Sequence, residues 1–340
     1  MIVTTRSSFY KSLVFASTTL FNAPNINQVQ NYNYAPAAQY VRDTVTQLIR
    51  EEDPTLAGSI LRLAFHDAAV RSVASNPNIG GSDGSIRYEL EWSENRGLKR
   101  PLDIVNGIYQ GQLDFCASTS DIVTIGNDKK CDDLSFADVL ALSGAAAVEA
   151  ANGPKITIKL GRTDVNSTSP NQKQYLDKPI LSESKRSDIT TSLPSAGLDS
   201  LGLRNFFVKR IGLSEAEMVA LMGAHDLGRH VTLTDMPKSC LKNLTRTCLE
   251  EAPVLAPFIT ENPDSLSNSY YKSLLRWNDR VMDYGEAAFI PTDVAMVVDD
   301  GLKKYVVAFA NNESLFFRTF VDAYRKLVET KGTSFSSRRY

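Results

Sequence analysis

From Leu134 to Ala151 the chain carries an Ala-rich, almost wholly apolar stretch that stops at Asn152-Gly153-Pro154. Glycine takes the left-handed turn that closes a helix, and proline cannot extend one, so the triplet is a strong helix end. A helix with so little polar surface belongs in a core rather than on the outside of a protein. Any fold open to this chain must be built around it.

Most of the remaining segments read as amphipathic helices joined by polar loops, with very few alternating runs. Asp53-Pro54 resembles an N-cap followed by proline at the first helical position. It opens a helix whose apolar residues Ile60, Leu61, Ala64 and Phe65 carry it to about Val70. Ser214-Glu-Ala-Glu217 is a capping box that launches Met218, Leu221 and His225 along one face before Gly228. Asp299 to Lys326 forms another amphipathic stretch, with Phe309, Phe316, Phe317, Phe320 and Tyr324 giving it bulk. The expected class is mainly α, with no internal repeat.

The 340 residues, 43% of them hydrophobic, suffice for one large domain or two lobes about a shared site. A net charge of -2 without a dense Lys/Arg tract argues against nucleic acid as a partner. No uninterrupted apolar run approaches the roughly 18 residues a bilayer requires, so no stable membrane span is expected. Met1 to Arg42 lacks acidic residues while Arg6, Lys11 and several Ser and Thr punctuate it, the composition of an organelle transit peptide; a secretory signal is the rival reading. Asn22 to Tyr40 has no period and reads as linker, which divides the chain into a targeting segment and linker at 1–40, a domain at 41–328 and a tail at 329–340. Cys116, Cys131, Cys240 and Cys248 allow three pairings; the local pairs 116/131 and 240/248 suit an oxidising lumen, and four free thiols a reducing compartment.

Only three histidines occur, His66, His225 and His230. His66 stands four residues after Arg62, so an always-charged guanidinium and a titratable imidazole share one helical face. His225 closes a second helix. Asn95, in Glu94-Asn95-Arg96-Gly97-Leu98, is a candidate to accept the proton on the second ring nitrogen of His66, and Asp293 in Pro291-Thr292-Asp293 is the carboxylate candidate for His225.

These residues carry a resemblance to the plant-type haem peroxidase superfamily. Arg62-Leu-Ala-Phe65-His66-Asp67-Ala68 is similar to its distal motif, and Met218-Val-Ala-Leu-Met-Gly-Ala-His225-Asp-Leu-Gly228-Arg229 to its proximal one. Ser135-Phe-Ala-Asp138, Leu160-Gly-Arg162-Thr-Asp164, Asn268-Ser-Tyr270 and Ile290-Pro-Thr-Asp293 follow in family order, so the likeness covers about residues 41 to 328. The run from Gly80 through Glu89-Leu90 to Leu98 looks most like ascorbate-peroxidase-related proteins of plastids, which implies a chloroplast, and within it the thylakoid lumen, as destination. Secretion is the alternative.

The resemblance implies two helical lobes sandwiching haem b, a distal lobe of about 41–160 and a proximal lobe of about 161–300, with a C-terminal helix to 328. His225 would be the axial iron ligand, with Asp293 behind it. Arg62, His66 and Asn95 would activate hydrogen peroxide, and Phe65 would pack over the porphyrin. The implied activity is reduction of hydrogen peroxide to water at the expense of a small organic electron donor, in response to oxidative stress. Asp67, Gly81, Asp83 and Ser85 follow the family's calcium pattern, hard oxygen ligands that suit Ca²⁺; an ordinary Gly-rich turn is the other reading. Asp138 and Arg162 match a buried ion pair.

The chain departs from ascorbate peroxidases and cytochrome c peroxidase in three places. Phe65 replaces a distal Trp, Pro257-Phe258-Ile259 lacks the proximal Trp, and Thr234 stands where ascorbate-binding relatives carry Arg. Asp226 replaces a Thr common after the proximal histidine. Two rival functions follow: a haem-free binding or structural protein on the same fold, and a helical protein with another metal held by His66, Asp67 and Asp83.

Overall fold

The structure, a computed structural model, describes residues 36–70, 81–120, 131, 133–165, 193–194, 198–231, 255–257, 260–277, 289–329 and 340. Its helices are α1 (Pro36–Gln47), α2 (Leu56–Ala69), α3 (Lys99–Ser120), α4 (Phe136–Ala150), α5 (Ser200–Leu203), α6 (Glu215–Met222), α7 (Ser269–Leu274), α8 (Pro291–Val298), α9 (Asp300–Asn311) and α10 (Glu313–Val328). Leu48–Glu52 and Arg204–Ile211 extend α1 and α5 as wider π-helical turns, and Gly223–Leu227 tightens the end of α6 into a 3-10 turn. Two three-residue strands, β1 (Arg229–Val231) and β2 (Leu255–Pro257), pair antiparallel with Arg229 opposite Pro257.

The central helix is α4. Ser135 caps it, its Oγ accepting from the Asp138 amide at 3.1 Å. At the other end Asn152 takes φ 62° and the Gly153 amide donates to the Val148 carbonyl at 2.9 Å, the left-handed closure expected of that triplet. Every residue of α4 except Glu149 is buried. It packs against α1 and α2, and its small residues permit close approach: a Cβ on Gly144 would strike the Tyr324 hydroxyl and Ala64. Each Leu, Val or Phe fully withdrawn from water here contributes about 1.5–3 kcal/mol.

A second group of helices lies against α10, where α6 and α9 pack. Tyr271, Phe309 and Phe316 form its aromatic centre, with Tyr271 5.4 Å from Phe309 and 5.0 Å from Phe316 between ring centroids. The two groups are tied by Arg162, which is buried against Asp138 at 2.8 Å and donates to the Val328 carbonyl at 2.9 Å. That bond satisfies a carbonyl that the end of α10 leaves without an intrahelical partner. The Asp138–Arg162 pair is therefore buried, as the resemblance implied.

Several boundaries differ from expectation. Among the described residues the first helix starts at Pro36 rather than near Val41, because Ala37, Ala38 and Tyr40 are buried and the proline supplies a ready-made first turn. Asp53 does not cap α2 directly. It accepts from the Thr55 amide and hydroxyl at 3.0 and 2.6 Å, and this turn delays the helix to Leu56. The stretch Asp299 to Lys326 divides at Asn312, whose side chain accepts from the Leu315 amide at 2.9 Å and so starts α10. Tyr340 does not trail away: its amide and carbonyl pair with Ile158 at 2.7 and 2.9 Å.

Cys116 and Cys131 form a disulfide. Cys240, Cys248 and Thr234 lie outside the described residues, as do residues 1–35 of the acid-free leader and linker. Among the described residues no helix is long and apolar enough to cross a membrane.

Candidate functional site

Helix α2 carries Arg62 and His66 one turn apart. A 3-10 turn, Ser93–Asn95, brings Asn95 beneath the imidazole, with Asn95 Oδ1 2.7 Å from His66 Nδ1. Asn95 is buried, and its Nδ2 donates to the Glu89 carbonyl at 2.8 Å. That second bond settles the amide's orientation, so Oδ1 faces the ring and the imidazole proton sits on Nδ1. Nε2 then keeps its lone pair. Burial, reinforced by the Arg62 charge, holds the imidazole well below its ordinary pKa, so it is neutral at neutral pH.

Arg62 donates to two backbone carbonyls, Arg96 O at 2.9 Å and Glu94 O at 2.7 Å. Among the described residues it makes no ion pair with a carboxylate. Burial and the Arg96 charge bring it down to about 10, still fully cationic at physiological pH. A positive charge held by carbonyls and uncompensated by an acid is suited to meet an anion formed beside it. Phe65 lies next to this pair, edge-on to His66 at 5.7 Å and stacked toward Phe207 at 6.1 Å.

His225 occupies the 3-10 turn after α6, whose capping box is formed as expected by Ser214 and Glu217. Its Nδ1 is 2.7 Å from Oδ1 of Asp293, a fully buried carboxylate in the first turn of α8. Asp293 Oδ2 accepts from the Ile290 amide at 3.0 Å, and the positive end of the α8 dipole favours its charge. The Tyr270 hydroxyl donates to the same Oδ1 at 2.6 Å. Burial and Asp293 push the Tyr270 phenol well above its usual range, so it remains a donor.

Helix α2 approaches the His225 turn closely at Gly58, where a Cβ would collide with the Leu227 carbonyl oxygen. The three nearest atoms, Leu227 O, Leu227 C and Gly228 Cα, are all backbone and cannot swing aside, so this position admits only glycine without a shift of the helix.

Sequence reasoning found no role for Asp226. In the structure it is fully buried and accepts five hydrogen bonds: from Thr260 Oγ1 at 2.5 Å, the Ser267 amide at 2.6 Å, Ser267 Oγ at 3.0 Å, Ser269 Oγ at 2.8 Å and the Tyr270 amide at 3.0 Å. Burial raises its pKa, against the pull of these donors. It pins the loop before α7 to the histidine turn. The available signal was a run of small hydroxyls, Ser265, Ser267 and Ser269. Tyr270 was legible only as part of a motif. Arg229, by contrast, pairs with Asp264 at 2.5 Å.

The candidate calcium residues come together in part. Asp67 is fully buried, Oδ1 accepting from the Ile86 amide and Oδ2 from the Gly84 amide, each at 3.1 Å. Burial and the charges of Asp83 and Glu89 raise it well above the carboxylate range. Burial likewise lifts Asp83 to about 6. Ser85 Oγ is buried without a hydrogen-bond partner, and Gly81 takes φ 94° at the head of the turn. Among the described residues no group of three or more His, Cys, Asp or Glu side chains converges. The rival reading of a metal centre that includes His66 therefore has no support: the His66 ring is turned with Nδ1 on Asn95 at 2.7 Å.

Residues 41–312 match the Peroxidase family. The chain is 30% identical over 280 residues to "Probable L-ascorbate peroxidase 4, peroxisomal" of Oryza sativa subsp. japonica, covering 82% of this chain and 74% of the relative. It is 28% identical over 320 residues to the mitochondrial cytochrome c peroxidase of Yarrowia lipolytica, covering 88% and 77%. It is 30% identical over 274 residues to L-ascorbate peroxidase T, chloroplastic, of Arabidopsis thaliana, covering 79% and 54%. The chain belongs to the peroxidase family, in the plant-type haem peroxidase superfamily, and is a haem-dependent oxidoreductase acting on hydrogen peroxide.

Proposed function

We propose that Arg62, His66 and Asn95 activate hydrogen peroxide, and that His225 would hold the iron of a haem b. The observation that carries this reading is the contrast between the two imidazoles. Each donates from Nδ1, His66 to a neutral amide at 2.7 Å and His225 to a buried carboxylate at 2.7 Å. An amide leaves the ring neutral, with Nε2 ready to receive a proton. A carboxylate pulls the Nδ1 proton and enriches Nε2, which suits a strongly donating metal ligand. The donor set fits the group: a histidine with its carboxylate on one side, and an uncompensated cation with a neutral base on the other.

Haem, when bound, supplies the iron that accepts two oxidising equivalents from peroxide and yields them one at a time. His66 Nε2 takes the proton from one oxygen of the incoming peroxide and returns it to the departing oxygen, so that water leaves. Arg62 stabilises the negative charge that grows on that oxygen. Asn95 keeps the ring turned and in the useful tautomer. Phe65, beside His66 and Phe207, would shield the pocket from water and lie against the porphyrin. The reducing partner is a small organic donor oxidised in two one-electron steps. The absence of Arg at position 234 speaks against ascorbate in that place.

Calcium belongs to the same proposal. Asp67, Asp83, Ser85 and the Gly81 carbonyl would bind it, relieving the repulsion between two buried carboxyls. A higher melting temperature in Ca²⁺ than in a chelator supports this; equal values refute it. The acid-poor leader, the Cys116–Cys131 disulfide and a chloroplastic relative together favour a plastid lumen, with secretion as the alternative. Removal of peroxide under oxidative stress is the corresponding physiological role.

The test is stopped-flow reaction of haem-loaded protein with peroxide. His66→Ala should lower the bimolecular rate by about 10²–10⁴ without loss of haem. An unchanged rate overturns the assignment.

A further inference from the structure

We infer that Tyr270 is a positioning residue that limits how much negative charge Asp293 passes to His225. The inference rests on the reading of His225 as the iron ligand. Asp293 Oδ1 receives two donors at once, His225 Nδ1–H at 2.7 Å and the Tyr270 hydroxyl at 2.6 Å, while Oδ2 takes the Ile290 amide at 3.0 Å. A carboxylate oxygen that accepts a short phenol bond has less electron density for the imidazole proton. Hydrogen bonds to charged groups are strong, and in a dry interior they polarise one another. The phenol therefore weakens the pull of Asp293 and holds the ring nearer neutral imidazole than imidazolate.

The surroundings fix this geometry. Tyr270 is fully buried, with its ring edge-on to His225 at 6.0 Å and against Tyr271 at 5.1 Å and Phe289 at 5.9 Å. Its amide is held by Asp226, the residue directly after His225, at 3.0 Å. The turn that carries the histidine thus also aims the phenol, through a closed loop of contacts from Asp226 to Tyr270 to Asp293 to His225.

The variant Tyr270→Phe removes only the hydroxyl and leaves Asp293 Oδ1 with its histidine partner, so no buried donor is stranded. Tyr271→Phe is the matched control. It deletes an equally buried hydroxyl that donates to the Val219 and Ala220 carbonyls at 2.8 and 3.1 Å rather than to Asp293. Full-length protein loaded with haem is reduced, and the iron–histidine stretch and the ferric/ferrous potential are read for wild type and both variants. Tyr270→Phe should raise the stretching frequency and shift the equilibrium about tenfold toward ferric iron, about 59 mV downward for one electron. Tyr271→Phe should leave both at wild-type values. A Tyr270→Phe shift no larger than that of Tyr271→Phe overturns the inference while His225 remains the ligand. An iron–histidine band missing from wild type would instead defeat the parent reading. Should Tyr270→Phe fold poorly, proton NMR of the His225 ring in mixtures of the wild-type chain bearing fluorinated tyrosine decides the point. A more acidic phenol should move the Nδ1–H resonance upfield, and an unmoved resonance refutes the claim.

Discussion

Replacing Asn95 with alanine probes the distal arrangement at its weakest link. The change deletes the acceptor 2.7 Å from His66 Nδ1 and the donor 2.8 Å from the Glu89 carbonyl. The Glu89 carbonyl keeps a bond from the Trp92 amide at 3.0 Å, so the main loss is a buried imidazole N–H left without a partner. Stranding such a donor costs about 1–3 kcal/mol, and the lost second bond about 0.5–1.5, for roughly 1.5–4.5 kcal/mol of stability. The same loss frees the proton to move to Nε2, where the ring can no longer act as base. If the anchor is worth about 1.4–2.8 kcal/mol to the correct tautomer and orientation, the rate with peroxide falls about tenfold to hundredfold.

The assay is stopped-flow mixing of the haem-loaded variant with peroxide at several pH values, beside a denaturant melt. The Asn95 bond favours the protonated ring, so its removal lowers the His66 pKa further. A deficit caused by tautomer and orientation therefore persists as pH rises. A variant with the wild-type rate constant, or one restored to it at higher pH, would refute the reasoning.

Other consequences follow from the same contacts. The wild-type peroxide reaction should stay flat from pH 8 down past the ordinary histidine value of 6.5 and decline only at more acid pH. The base is its neutral form and its folded pKa is depressed; a decline centred near 6.5 would contradict this. Gly58→Ala places a methyl against the Leu227 carbonyl. It should cost about 1–3 kcal/mol and weaken haem retention, as a competition assay with apomyoglobin would show. Asp138→Ala removes the buried carboxylate that faces the Arg162 guanidinium at 2.8 Å, so unfolding should shift by about 3–5 kcal/mol, against little change in haem binding.

Much of this was legible because local chemistry announces itself. The Ala-rich run and its Asn-Gly-Pro stop fixed the central helix to within a residue or two, and the Ser214 capping box lies as read. The partners Asn95 and Asp293 were also within reach, since an imidazole asks for an orienting group and both stand in short motifs of the resemblance. What escaped depends on long-range geometry. Gly58 is unremarkable until Leu227 comes beside it, and Asp226 looks like an isolated substitution until five donors from residues 260–270 close around it. Pro36 to Tyr40 read as linker because its period is too short to register, although burial against the core makes it helix. Asn312 split a continuous amphipathic stretch because one side-chain bond to Leu315 outweighs an unbroken pattern.

The central claim is that residue 225 binds the iron. The direct measurement is the resonance Raman spectrum of ferrous protein with haem, for wild type and for His225→Gly with and without added imidazole. Wild type should show an iron–histidine stretch, His225→Gly should lose it, and free imidazole should restore a comparable band. Persistence of the native band in His225→Gly would mean that another residue holds the iron.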